Sequence, residues 1–210
     1  MKHYLAIALS TILVVNGVVG QEESSSKTRE VMVMGGISYP YLTTEFRDNW
    51  KKGLNLGVGY GYSLNPGNLG YGVVFATFDF SRFNLDHAKY DSVKMLTPSG
   101  NISSGGEVNV FSVMMNIKGA FSPSKNTVAP YFLIGVGYVN FARRSITVAP
   151  DTTLDVQSEN VSAFAWSFGV GVEVPVTAST AFFVQGKSTL AVTDPTRQYF
   201  ALSAGARIRM

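Results

Sequence analysis

The chain has 210 residues, a formal net charge of +3 and no cysteine. That length suits one substantial domain, while the missing thiols exclude a disulfide framework, a cysteine nucleophile and a thiolate metal site. Lys and Arg are scattered, with Arg143-Arg144 the nearest approach to a cluster, so there is no footprint for nucleic acid.

Residues 1–20 have the form of a secretory signal: Lys2 and His3, then an apolar run from 4 to 15, then the small-residue site Val18-Val19-Gly20. A polar leader, 21–28, follows. The apolar run is too short to span a bilayer as a helix, and no later segment approaches the ~20 apolar residues such a helix needs. A membrane crossing by this chain would therefore use strands.

From residue 29 the chain alternates strand-like runs with loops, and no window sustains a 3.6-residue period. Eight strands are predicted. The first spans about 29–39 and leads into a loop with Pro40, Arg47 and Trp50. The second, 53–64, contains Gly57-Val58-Gly59-Tyr60-Gly61, in which glycines occupy one face and Leu54, Leu56, Val58, Tyr60 and Tyr62 the other. This is G-x-G-x-G followed by the turn Asn65-Pro66-Gly67-Asn68, not the G-x-G-x-x-G that opens a phosphate-binding helix.

The third strand is about 69–80, followed by a polar stretch over 81–106 that reads as an exposed loop. The fourth, 107–121, turns at Ser122-Pro123-Ser124-Lys125-Asn126, and the fifth is 129–141. A second long polar loop covers 143–160. The sixth strand, 161–174, the seventh, 181–190, and the eighth, 199–210, are joined by a tight turn at 177–180 and a loop with Asp194-Pro195. Long and short connections alternate, so the two ends of the object differ. The fold class is all-β, an eight-stranded antiparallel transmembrane barrel over 29–210, with long extracellular loops and short periplasmic turns.

A soluble barrel also has one apolar face per strand, so the second face decides the medium. In the sixth strand Phe164, Trp166, Phe168, Val170, Val172 and Val174 oppose Ala165, Ser167, Gly169, Gly171 and Glu173. Glycine in a strand facing water costs about 0.5–1 kcal/mol relative to alanine without compensation. Turned into a narrow lumen, it makes room for large neighbours. The apolar rows are therefore read as facing lipid and the glycine rows as facing the lumen.

The large lumen residues on this reading are Lys118, Glu173, Gln185, Lys187, Arg207 and Arg209, with Glu173, Lys187 and Arg207 forming an ion-pair network that plugs the interior. Aromatic residues near strand ends, among them Tyr39, Trp50, Phe80, Tyr138, Phe141, Trp166 and Tyr199, are read as membrane-interface rings.

The segments "GISYPYLTTEFRDNWKKGLNLGVGYGYSL", "PYFLIGVGYVNF", "FFVQGK" and "YFALSAGARIRM" together resemble the outer-membrane β-barrel domain family of small eight-stranded proteins, related in form to OmpA, OmpX and OmpW. The resemblance implies a bacterial outer-membrane protein, porin-like or structural and without enzymatic activity, inserted by the barrel assembly machinery. It implies a monomer in outer-membrane lipid, with small apolar solutes or a surface ligand as further partners. Members commonly end in an aromatic residue; this chain ends in Met210.

Two other readings are open at this point. The loops 81–106 and 143–160 could act in surface adhesion. A lipid-modifying enzyme would use His87, beside Asp86 and near Ser81 or Ser92. No cofactor or metal is expected: Asp151 and Asp155 match no calcium-loop spacing, and the triplets at 101–103 and 160–162 are read as chance.

Overall fold

Strand β2 (Gly53–Leu64) alternates buried and exposed residues without interruption along its whole length, glycines and small polar residues inside and Leu, Val and Tyr outside. The same period-two logic runs through β1 (Arg29–Tyr41), β3 (Tyr71–Phe83), β5 (Val108–Ala120), β6 (Ala129–Arg143), β8 (Glu159–Pro175), β9 (Thr180–Ala191) and β10 (Arg197–Arg209). These eight close into a ring in the order β1-β10-β9-β8-β6-β5-β3-β2. The computed structural model describes residues 28–41, 44–64, 71–87, 89, 101–121, 128–149 and 158–210. Residues 1–27, the turns at 65–68 and 122–126, Asp91, Ser92, Asp151 and Asp155 lie outside them.

Every neighbouring pair in the ring is antiparallel, and β10 pairs with β1 in register from Glu30↔Arg209 to Tyr41↔Gln198, which closes the ring. Arg29 and Met210 exchange backbone hydrogen bonds of 3.1 and 2.9 Å, so the two strand ends meet at one rim, the one that also carries the tight turn after β8. Closure satisfies the backbone where no water is available to do so.

The opposite rim is more ordered than the sequence alone suggests. A short helix, α1 (Thr44–Asn49), follows β1, and Trp50 bridges to Leu85 just beyond β3. The stretch 81–106, read above as an exposed loop, starts inside the barrel wall, because β3 runs on to the buried Phe83 and Leu85 is buried too. Its far end forms β4 (Asn101–Gly105), which pairs with β7 (Ile146–Ala149) from the second long connection. Gly105 and Gly106 have φ values of 94° and 76°, in the left-handed region that glycine tolerates. A Cβ on Gly106 would lie 2.6 Å from Leu85, so the turn from β4 into β5 needs glycine twice over.

Inside, side chains stack in layers. An apolar cluster near the short-turn end contains Met32, Met34, Val73, Phe75, Leu133 and Phe183. A second, at the long-connection end, gathers Phe46 of α1 with Trp50, Phe83, Phe141, Met114 and Tyr199, and Phe46 packs edge-on against Phe83 with ring centroids 5.3 Å apart. The glycines of β2 make this possible. A Cβ on Gly57 would sit 2.5 Å from the Asp79 carboxylate, and one on Gly59 2.6 Å from Met32.

Candidate functional site

Two regions carry charged chemistry: the lumen and the long-connection rim. Residue 207 faces inward on β10 and residue 173 on β8, with β9 between them, so side chains rather than backbone must connect them. Arg207 bonds Glu173 through Nε (3.0 Å to Oε2) and through Nη2 to Oε1, and its Nη1 lies 2.7 Å from Glu30 Oε1. Lys118 of β5 reaches the same carboxylate, Nζ to Glu173 Oε2 2.8 Å, with Tyr131 beneath it at 5.1 Å from the ring centre. Arg209 adds a 3.2 Å contact to Glu30 and one of 3.8 Å to Glu173. Gln185 accepts from Tyr131, the ring beneath Lys118, and donates toward Met34 Sδ.

Lys187 corrects the expected network. It pairs with Asp79, Nζ to Oδ2 2.7 Å, and not with Glu173. Thr77 and Ser112 donate to the same Asp79 oxygen, and Asn116 links Thr77 to Ser167, so the upper lumen has its own polar layer. Members of the apolar cluster stand opposite the Glu173 network in register, Met32 across from Arg207, Val73 and Leu133 from Lys118, and Phe183 from Glu173. Position along β9 explains the partner choice: Lys187 stands opposite Gly169 and Ala201, well up the strand from Phe183, the residue opposite Glu173.

Glu30 and Asp79 were absent from the residues read off the sequence. Their inward parity was available, since Glu30 shares a face with Met32 and Met34, and Asp79 with Thr77 and Phe75. Charge balance was a further signal. The buried carboxylates Glu30, Asp79 and Glu173 match the buried cations Lys118, Lys187 and Arg207 among the described residues.

The proposed interface aromatics divide. Tyr39, Tyr138 and Trp166 point outward and are substantially exposed, and Phe80 stacks on outward Phe111 with centroids 5.0 Å apart. Trp50, Phe141 and Tyr199 are buried and face the other way. Trp50 donates from its indole nitrogen to Gly106 O (2.8 Å), and Phe141 and Tyr199 stack with Phe46 and Phe83. Proximity to a strand end does not reveal the face, and the mouth of the lumen needs aromatic volume to fill it.

At the rim, Glu159 joins Arg197 (2.9 Å) and Arg143 (3.3 Å), while Glu107 joins Arg82 (2.9 Å) and, at 4.0 Å, Arg144. On α1 the Arg47 guanidinium hydrogen-bonds Asp48 and holds its carboxyl below the ordinary value. His87 is half-buried at this end, whereas the Ser81 hydroxyl is engaged inside the barrel with Ser38 and Asn55, each at 3.0 Å. Among the described residues no cluster of His, Asp and Glu has the makings of a metal site.

A sequence profile described as the outer membrane protein beta-barrel domain matches residues 10–208. The chain belongs to this family. It is a closed eight-stranded antiparallel barrel of the bacterial outer membrane, with its exposed apolar rows against lipid. Among solved structures it is similar to Neisserial surface protein A (TM-score 0.53, 14% identity, covering 90% of this chain and 100% of that one). It is also similar to the N-terminal barrel domain of OprF from Pseudomonas aeruginosa (0.49, 10%, 87% and 97%) and to Ail, the attachment invasion locus protein of Yersinia pestis (0.46, 15%, 87% and 98%). At these identities the likeness to the Neisserial protein concerns the fold alone. No curated protein matches the chain by sequence.

Proposed function

We propose that the protein is a structural barrel of the outer membrane, closed along its axis and without enzymatic activity, which holds its long connections at the cell surface and its short turns in the periplasm. The observation that carries closure is the Asp79–Lys187 pair, since β3 and β9 stand on opposite sides of the ring. An eight-stranded barrel has an interior that side chains just fill, and a salt bridge across it leaves no continuous aqueous path. The Glu173 network below and the Phe46 cluster above add two further obstructions. Orientation follows the general rule that long loops lie outside and short turns in the periplasm. On this reading residues 1–20 direct export, the barrel assembly machinery inserts the chain as a monomer, and any passage is limited to small apolar solutes.

Planar-bilayer recording on the refolded full chain tests closure. A flat trace at 100 mV supports it. Regular single-channel steps would replace it with a porin reading.

A second reading, adhesion or ligand binding through the loops, has one observation in its favour: β4 and β7 come from different long connections yet pair into a two-stranded sheet beside the barrel. Replacing 101–105 and 146–149 by Gly-Ser sequence would then abolish binding to cells or matrix while the barrel still assembles. Unchanged binding would remove this reading.

A further inference from the structure

The long-connection end of the lumen holds a cavity that neither closure nor adhesion uses. It has a volume of about 170 Å3 and lies where α1 and the β9–β10 connection meet the ends of β5, β6 and β8. Its floor is apolar and buried, made by Phe46 of α1, Trp50 just after it and Val108 at the start of β5. The two rings touch, with centroids 5.6 Å apart, and give one continuous aromatic surface. The β9–β10 connection that closes the remaining side is held by its own hydrogen bonds, Thr193 Oγ1 to Pro195 O (2.7 Å) and Thr196 Oγ1 to Thr193 O (3.4 Å).

The charged groups of the lining form two poles. Glu159 bridges Arg197 and Arg143, and two cations against one anion leave this pole at +1. A guanidinium has five N–H groups, and each arginine commits one nitrogen to Glu159, so terminal N–H groups remain for a second carboxylate. The other pole is Asp194. It is exposed, pairs with neither arginine, and its carboxylate makes no hydrogen bond or ion pair among the described residues.

We propose that this cavity binds a small zwitterion with an aliphatic side chain, of the size of an α-amino acid. Its carboxylate would sit on Arg143 and Arg197, its ammonium on Asp194, and its side chain against Phe46, Trp50 and Val108. Size argues for this class, because pockets that enclose drug-sized molecules run to about 300–1,000 Å3 and this one is well below that range. Charge argues the same way. A simple anion would meet the Asp194 carboxylate, and a simple cation would meet the two guanidiniums; a molecule with both groups completes each pole and leaves the lining neutral. The floor then separates an aliphatic amino acid from a polar one, since only the former removes apolar surface from water. The cavity lies at the mouth, so the inference holds whether or not the lumen below conducts.

The test uses the refolded full chain in nanodiscs with L-leucine as the probe, and reads binding from saturation transfer to the leucine methyl protons. Leucine should bind with a Kd of about 1 mM, and leucinamide, which lacks the carboxylate, and 4-methylpentanoate, which lacks the ammonium, should each bind about tenfold more weakly. In the Trp166→Phe variant Trp50 is the remaining tryptophan, and its emission should shift with the same midpoint, which locates the site. Asp194→Asn should weaken leucine about tenfold without weakening 4-methylpentanoate, and heat-modifiable migration should stay normal because Asp194 is exposed and unpaired. The comparison of the three probes uses the parent chain, so it decides the matter even where a variant misfolds. Absence of a saturable leucine signal, equal binding of the three probes, or a folded Asp194→Asn protein that binds leucine as the parent does overturns the proposal. So does saturable binding that leaves Trp50 emission unmoved, which would place the ligand elsewhere.

Discussion

Lys187 on β9 spans the lumen to Asp79 on β3, four strands away in either direction around the ring, and holds its carboxylate at 2.7 Å. Each is buried, so each depends on the other for compensation of its charge. Removing one partner should therefore be worse than removing both. Lys187→Met and Asp79→Asn are each expected to lower the unfolding free energy by about 3–5 kcal/mol, and the double variant to recover most of that loss. Urea titration of the folded, heat-shifted gel band in lipid vesicles measures this. Additive losses in the double variant would show that the pair is not coupled.

Glycine placement inside the barrel makes a second prediction. A side chain on inward Gly57 meets the Asp79 carboxylate at 2.5 Å, whereas one on Gly72, which faces outward on β3, meets nothing closer than 3.7 Å. Gly57→Val should prevent or severely slow barrel formation, and Gly57→Ala should cost about 1–3 kcal/mol by overpacking. Gly72→Ala should be within about 0.5 kcal/mol of the parent. A ranking in which the two alanine variants behave alike would mean the lumen is looser than described.

The two tryptophans report opposite sides of the wall. Trp166 is 51% exposed on the outer face, while Trp50 is buried and bonded to Gly106. In vesicles of brominated phosphatidylcholine, the Trp50→Phe variant, which retains Trp166, should lose most of its fluorescence to contact quenching. Trp166→Phe, which retains Trp50, should be nearly unaffected. Strong quenching of Trp50 would place it back at the membrane interface.

Val58 lies near the middle of β2 with half its surface exposed outward. Arginine there should cost about 2–4 kcal/mol of folding free energy in a bilayer, as expected for a charge at the midplane. Equilibrium folding into vesicles reads the difference against the parent. No measurable penalty would argue that this face meets water.

Much of the architecture was legible because a barrel in lipid must show its period twice over. The alternation in β2, β8 and β10 names the two faces, and strands that meet lipid satisfy their backbone by closing into a ring. The face carrying Lys118, Glu173, Gln185, Lys187, Arg207 and Arg209 was readable for the same reason. In β1 and β3 the signal is weaker, since runs such as Val73-Val74-Phe75-Ala76 are apolar on both faces and do not mark Glu30 and Asp79 as inward.

The chain by itself determined its eight barrel strands, its lipid-facing rows and the ionic character of its lumen, because these follow from a two-residue repeat and the cost of burying charge. Only the tertiary structure decided that Lys187 meets Asp79, that Trp50, Phe141 and Tyr199 turn inward to fill the mouth, and that β4 joins β7. Those outcomes depend on the register and closure of the ring, which bring together residues far apart in the chain, and on the volume each layer of the lumen has to fill.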